Sequence, residues 1–427
     1  MEILLALSVA LAAGLLLSRF VKPLGLPAVT GYLVAGILIG PYCLGRLGIS
    51  GLGFNSMEQL SSMNIISNVA LGFIAFAIGN EFRLSQLEKN GKQATVIGII
   101  QAIVATLFVD VALIVFHFLA PDKLSLPAAI TLGAIAAATA PAATLMVVRQ
   151  YKAKGPLTDI LLPIVALDDA VGLIVFAVSF GIARALQDGR VDLISILVNP
   201  LIEIVGSLLL GTVMGLLFTA AEKFFHSGSK RLCLAVTFVF LTVGFSLMEF
   251  QIGAVTIGFS SLLVCMMLGT VFCNACDFSA EIMDKTDKWT APLFVLFFVL
   301  SGAELELSVF SDLVIVAVGV VYILARSAGK YYGARESARM MKCDSNIVKY
   351  LGITLLPQAG VALGMTITAM ELGKDGSLIR NIVLFSVLIY ELVGPALTRI
   401  ALTKAGDITP RVTDAKTAPA DDLDEED

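Results

Sequence analysis

Asp168 and Asp169 stand side by side inside an otherwise apolar run, Leu162-Pro163-Ile164-Val165-Ala166-Leu167-Asp168-Asp169-Ala170-Val171-Gly172-Leu173. An ionised carboxylate at membrane depth costs about 3 kcal/mol or more, so an adjacent pair needs a function. The same carboxylate oxygens can hold a proton or a small hard cation in turn. Alternation between the two is the least chemistry that a cation/proton transporter requires. Two basic residues are placed to answer the aspartates. Arg326 and Lys330, in Tyr322-Ile323-Leu324-Ala325-Arg326-Ser327-Ala328-Gly329-Lys330, are spaced i, i+4 and share one helix face. Lys330 alone is open to the reading of a side chain snorkelling to the interface. Arg326 lies a turn deeper and resists that reading.

Two further carboxylates fall within apolar runs, Asp110 and Glu391. Glu391 is expected to be a structural partner of Arg326, a buried pair holding helices in register. Asp110 is left between a place in a water-filled funnel and a structural one. Polar, proline-bearing interruptions supply a different signal. One reads Thr139-Ala140-Pro141-Ala142-Ala143-Thr144, the other Leu356-Pro357-Gln358-Ala359-Gly360-Val361. Each proline removes a helix hydrogen bond and frees carbonyl oxygens. A break in a buried helix is tolerated where it lines a cavity.

The elements that must position these residues are membrane helices. Hydrophobic residues make up 57% of the chain and charged ones 15%, with a mean hydropathy of +0.91, outside the range of an ordinary soluble domain. Apolar windows near spanning length recur at 3–18, 26–41, 63–80, 94–119, 126–148, 159–183, 191–220, 232–248, 254–274, 290–304, 311–334, 347–370 and 379–400. That predicts thirteen spans. Basic residues concentrate on alternate loops, such as Arg83, Lys89 and Lys92, then Arg149, Lys152 and Lys154, then Arg335, Arg339 and Lys342. The positive-inside rule then places the N-terminus outside and the C-terminus in the cytoplasm. The broken spans are the fifth and the twelfth, an odd offset of seven. Two inverted six-helix repeats joined by the seventh span would produce that offset, and broken helices at matching places point to an ion site. Residues 404–427 end in an acidic run and are read as a disordered cytoplasmic tail after a transporter domain of residues 1–403.

Six cysteines are scattered, and Cys273-Asn274-Ala275-Cys276 has no second pair or nearby histidine to complete a zinc site. No nucleophile, nucleotide loop or cofactor motif suggests an enzyme, and nothing suggests nucleic-acid binding.

Taken together, these pieces resemble the second branch of the monovalent cation:proton antiporter superfamily, the bacterial sodium/proton antiporter type. The resemblance rests on Pro27-Ala28-Val29-Thr30-Gly31-Tyr32 through Gly40-Pro41, Phe76-Ala77-Ile78-Gly79-Asn80-Glu81, the paired aspartates, Gly329-Lys330, Leu356-Pro357-Gln358-Ala359-Gly360 and Glu391-Leu392-Val393-Gly394-Pro395. It implies core helices, about 94–183 and 311–400, moving against dimerisation helices, with two discontinuous helices crossing near the midplane. It implies that Asp169 binds cation or proton, that Asp168 pairs with Lys330, and that Thr139 helps hold the transported Na⁺. It also implies a homodimer in a prokaryotic inner membrane and, from the Asp168 and Lys330 combination, electrogenic exchange of two protons for one sodium. A K⁺/H⁺ antiporter of the same fold is the first alternative. A sodium-coupled symporter of an organic anion ranks lower, because it has no need of a buried lysine beside two aspartates.

Overall fold

The computed structural model describes residues 2–24, 26–49, 53–80, 82–188, 199–225, 227–248, 250–252, 255–305, 312–359 and 361–408. It is a helical membrane architecture. In order come α1 (Glu2–Val21), α2 (Ala28–Ile39), the short α3 (Met57–Ser61), α4 (Asn64–Gly79) and α5 (Leu84–Leu119). Next are α6 (Leu126–Ile135), α7 (Pro141–Gln150), α8 (Pro156–Asp188), α9 (Asn199–Glu222) and α10 (Gly228–Ser246). The last six are α11 (Ser261–Ala275), α12 (Ser279–Ala303), α13 (Leu313–Met340), α14 (Ser345–Thr354), α15 (Val361–Ala369) and α16 (Lys374–Ala405). Among the described residues, 8 helices are long and apolar enough to cross a membrane by themselves.

Each apolar window contains a helix or a broken pair of helices, with instructive departures. The window at 254–274 begins not as helix but as the second strand of a small antiparallel hairpin, β1 (Phe250–Ile252) with β2 (Val255–Ile257), and the helix starts only at Ser261. Ser260 caps that helix by accepting from the Leu263 amide, and Val255 and Ile257 suit a strand better than a helix. The window at 290–304 is the apolar end of a longer helix whose first turns carry the exposed pairs Lys285–Glu281 and Lys288–Asp284. Residues 189–198 of the seventh window lie outside the described residues.

The C-terminal boundary also shifts. The chain stays packed through Ile408, past the boundary expected at 403, because Asp407 is buried and bonded to α8. Residues 409–427, the rest of the expected tail, lie outside the described residues.

Two packed groups of helices emerge. α5, α6, α8, α13, α14, α15 and α16 contact one another, while α1 and α2 pack with α12, and α4 with α11 and α12. Within the first group α13 lies directly on α5. A Cβ on Gly329 would sit 2.7 Å from Ala105 Cα, and one on Gly333 2.9 Å from Gln101 Cα. Glycines four residues apart thus remove the side chains that would hold the two backbones apart. That close approach brings Lys330 of α13 level with Gln101 of α5.

Candidate functional site

The site lies where two interrupted helices meet. Between α6 and α7 the chain leaves the helix at Ala136 and re-enters at Pro141, where a missing N–H costs nothing because the first turn has no acceptor for it. Between α14 and α15 it leaves at Leu355 and passes through Pro357 and Gln358. The two stretches touch through a backbone hydrogen bond, Ala140 N–H donating to Pro357 O at 2.8 Å. Gly360, expected at this break, lies outside the described residues.

The interruptions strand carbonyl oxygens, and buried side chains satisfy them. Arg326, fully buried, donates to Ala136 O (3.0 Å), Ala138 O (2.6 Å) and Leu356 O (2.7 Å), so one guanidinium joins both breaks. Its face rests 4.6 Å from the centre of the Tyr390 ring. Gln358 donates to Ile135 O at 3.0 Å and to the Tyr322 hydroxyl at 2.9 Å.

The expected Arg326–Glu391 pair is therefore not what the structure contains. All three guanidinium nitrogens are engaged by backbone carbonyls. Glu391 is buried on α16, and its Oε2 has no hydrogen-bond partner. Freed carbonyls compete for a guanidinium as effectively as a carboxylate does when both breaks converge on it. Arg326→Lys keeps the charge but loses the planar fork that reaches three acceptors. Hydrogen bonds to charged groups contribute about 1.5–3 kcal/mol each, so losing even one should lower the unfolding temperature measurably in detergent.

Beside this crossing sits the charge pair. Lys330 Nζ donates to Asp168 Oδ2 (2.9 Å), Thr139 Oγ1 (2.9 Å) and Ala137 O (2.6 Å), with Asp168 and Lys330 both fully buried. The Thr139 hydroxyl donates to the same Asp168 oxygen at 2.6 Å. The other oxygen, Oδ1, accepts from the Gln101 side-chain amide, which also reaches Gly98 O at 3.0 Å. Asp168 is thus held on both oxygens from α5, α13 and the α6–α7 break.

Asp169 is the opposite case. It is 1% exposed and neither of its oxygens has a hydrogen-bond partner. Consecutive helix residues point about 100° apart, which takes Asp169 out of the network that its neighbour completes. An unsatisfied buried acceptor costs about 1–3 kcal/mol, and the cost is relieved when a proton or a cation occupies it.

Of the residues singled out from sequence, the structure gathers Asp168, Thr139 and Lys330 into one network and Arg326, Pro141, Pro357 and Gln358 into the crossing beside it. Asp169 adjoins the network without joining it, and Glu391 stands apart from Arg326. Asp110 lies on α5 with Oδ1 buried and unpartnered, its carboxylate over the bare Cα of Gly133 on α6. Gln101 and Tyr322 also belong to the site, and neither is marked by a charge or a helix break in the sequence. A lone uncharged amide in Ile99-Ile100-Gln101-Ala102-Ile103 was the available signal for the first.

The chain is 25% identical over 421 residues to the Na⁺/H⁺ antiporter NhaS4 of Synechocystis sp., covering 93% of this chain and 96% of that protein. It is 24% identical over 408 residues to a Na⁺/H⁺ antiporter of Enterococcus hirae, covering 92% and 97%. It is also 24% identical over 377 residues to the K⁺/H⁺ antiporter subunit KhtU of Bacillus subtilis, covering 86% and 85%. Its fold matches the solved structure of the sodium proton antiporter MjNhaP1 from Methanocaldococcus jannaschii, with a TM-score of 0.67 and 20% identity over 95% of this chain and 99% of that one. The family model described as sodium/hydrogen exchanger, transmembrane, matches residues 7–404, and the chain belongs to that family.

Proposed function

We propose that this protein exchanges Na⁺, or Li⁺, for protons across a membrane by alternating access, with Asp169 as the group that carries cation or proton. The observation that carries the reading is Asp169 itself, a carboxylate buried with both oxygens unpartnered beside an Asp168 whose oxygens are all engaged. A small hard cation favours such oxygens. Asp168 and Thr139 belong to the adjoining network, and their oxygens would complete a ligand set once Lys330 gives them up. Relatives named as Na⁺/H⁺ antiporters over nearly their full length support the choice of cargo.

The exchange follows from competition for those oxygens. With protons abundant, Asp169 is protonated and Lys330 holds Asp168. When Na⁺ arrives, Asp169 gives up its proton, and Asp168 turns from Lys330 to the cation. An ammonium at membrane depth that has lost its counter-charge releases a proton. Two protons then leave for one Na⁺, a net charge moves, and the membrane potential contributes about 2.3 kcal/mol per charge per 100 mV. The core helices, about 94–183 and 311–400, carry the site past the dimerisation helices of a homodimer. Thirteen crossings as two inverted repeats, in a prokaryotic inner membrane with the C-terminus cytoplasmic, complete the proposal.

One similarity favours a second reading. The Bacillus subtilis relative is named a K⁺/H⁺ antiporter subunit, and its identity to this chain equals that of the Enterococcus hirae Na⁺/H⁺ antiporter. Liposomes carrying an internal pH dye and the full chain separate the two. Proton movement on adding Na⁺ or Li⁺, altered by a clamped potential, is expected. A response to K⁺ alone, insensitive to voltage, would replace the sodium reading.

A further inference from the structure

The C-terminal end of α16 is bonded to the start of the helix that carries both aspartates. Asp407 is 5% exposed, and its Oδ2 accepts from the Thr158 amide at 2.6 Å and from the Thr158 hydroxyl at 2.8 Å. Its backbone carbonyl accepts from Lys154 N–H at 2.9 Å. The contact spans 249 residues of chain.

Helix α8 needs such a partner. It begins at Pro156 after Gly155, and neither residue offers a side-chain oxygen to its first amides. A helix start leaves its first N–H groups without acceptors, and a carboxylate there also answers the positive end of the helix dipole. Gly155 makes room for this. With φ at +158° it lies where a Cβ would collide with the Asp407 carboxylate, 2.6 Å from Cγ. At the other end of the contact, Gly406 turns the chain off α16 in the left-handed region, φ +91°. That glycine sets the angle at which Asp407 leaves the helix. A third element joins at the same place, since Asn346 in the first turn of α14 donates to Ala405 O at 3.0 Å.

The starts of α8 and α14 are therefore both fastened to the end of α16. These are the helices that lead, respectively, to the aspartate pair and to the break at Pro357. Thr158 precedes Asp168 by about 15 Å of helix rise, with no glycine between them to absorb a shift. Pro163, inside α8, removes one intrahelical hydrogen bond and makes the register of the segment below Asp168 depend more on how its start is held.

We propose that Asp407 is a positioning residue for the exchange site: it caps α8 from the end of α16 and so sets the height of Asp168 and Asp169 relative to the α6–α7 break. This rests on the reading of those aspartates as the exchange site, and the test has one arm that does not.

The full chain in liposomes, with Asp407→Ala and Asp407→Asn, is measured two ways. Hydrogen exchange at the amides of residues 157–160 reads the cap directly. Asparagine is an equally good cap, whereas alanine is not, so exchange there should quicken about tenfold in Asp407→Ala and stay near the original rate in Asp407→Asn. Cation-driven proton movement reads the positioning. Asp407→Ala should need about tenfold more Na⁺ for half-maximal rate, with Asp407→Asn restoring most of the difference.

Unchanged protection in Asp407→Ala would overturn the cap. Lost protection with an unchanged Na⁺ requirement would reduce Asp407 to a structural residue and overturn the proposal. If the unaltered protein moves no protons with Na⁺, the exchange reading fails in its own right. The positioning arm is then read as the mid-helix amides of residues 165–170, whose unchanged protection in Asp407→Ala would overturn it.

Discussion

Asp169→Asn is expected to abolish cation-driven proton movement while leaving the folded protein intact. The combination is unusual for a buried polar residue and follows from the hydrogen-bond pattern. Asparagine matches aspartate in volume, so packing around α8 is undisturbed. Neither Asp169 oxygen is bonded to anything, so no network is broken by the exchange of an oxygen for an amide nitrogen. What is lost is only the capacity to take and release a proton and to offer a full negative charge to Na⁺. Removing a buried, unpaired carboxylate from membrane depth should hold or raise the unfolding temperature, since such groups are retained for function at a cost in stability. The vesicle assay should read background at saturating Na⁺ or Li⁺, and a thermal melt in detergent should match or exceed that of the unaltered protein. Detectable exchange by Asp169→Asn would remove Asp169 from the role assigned to it. A collapsed melt would show that the carboxylate does structural work that the hydrogen-bond pattern does not reveal.

The contrast between the two aspartates shows what could be read from sequence and what could not. Their presence was legible because carboxylates are rare in apolar helices of this length, and the answering bases at Arg326 and Lys330 were legible for the same reason. The two prolines marked where helices break. What residue types do not encode is which lone pair meets which donor. Residue types pair Arg326 with Glu391 because sequence displays charges, whereas the carbonyls of Ala136, Ala138 and Leu356 become acceptors only when both breaks are folded onto one guanidinium. Gln101 carries no charge and sits in a helix that reads as a plain span, yet it fixes the second oxygen of Asp168. Its role depends on α5 packing against α8, a long-range contact with no local signature. The hairpin before α11 escaped for a different cause, since Val255-Thr256-Ile257 is apolar enough to extend a helical window and β-branched enough to form a strand.

Lys330→Met should produce the largest loss of stability of any single change at the site and should also uncouple transport from voltage. Methionine fills much of the lysine's volume, so the effect isolates the charge. Three donations disappear with the ammonium, to Asp168, Thr139 and Ala137. Asp168 is then a fully buried carboxylate with no positive partner, and breaking a buried pair from one side costs about 3–5 kcal/mol. Asp168→Asn alone strands the lysine in the same way. The double variant, Asp168→Asn with Lys330→Met, leaves no uncompensated charge: the asparagine oxygen can still accept from the Thr139 hydroxyl, and its NH2 can donate to the Gln101 side-chain oxygen, which is unpartnered in the original protein. Its melt should therefore recover most of what either single change loses, a strong coupling that a double-mutant cycle measures directly. Losses that simply add would mean the pair is not energetically joined, whatever its 2.9 Å separation. Transport supplies the second reading. If Lys330 carries one of two protons, Lys330→Met can return only the proton on Asp169, one Na⁺ exchanges for one H⁺, and a 100 mV clamp no longer changes the rate, where the unaltered protein gains about 2.3 kcal/mol of driving force per charge. Voltage dependence that survives the substitution would assign the second proton to another group and leave Lys330 as the counter-ion that holds Asp168 in place between cations.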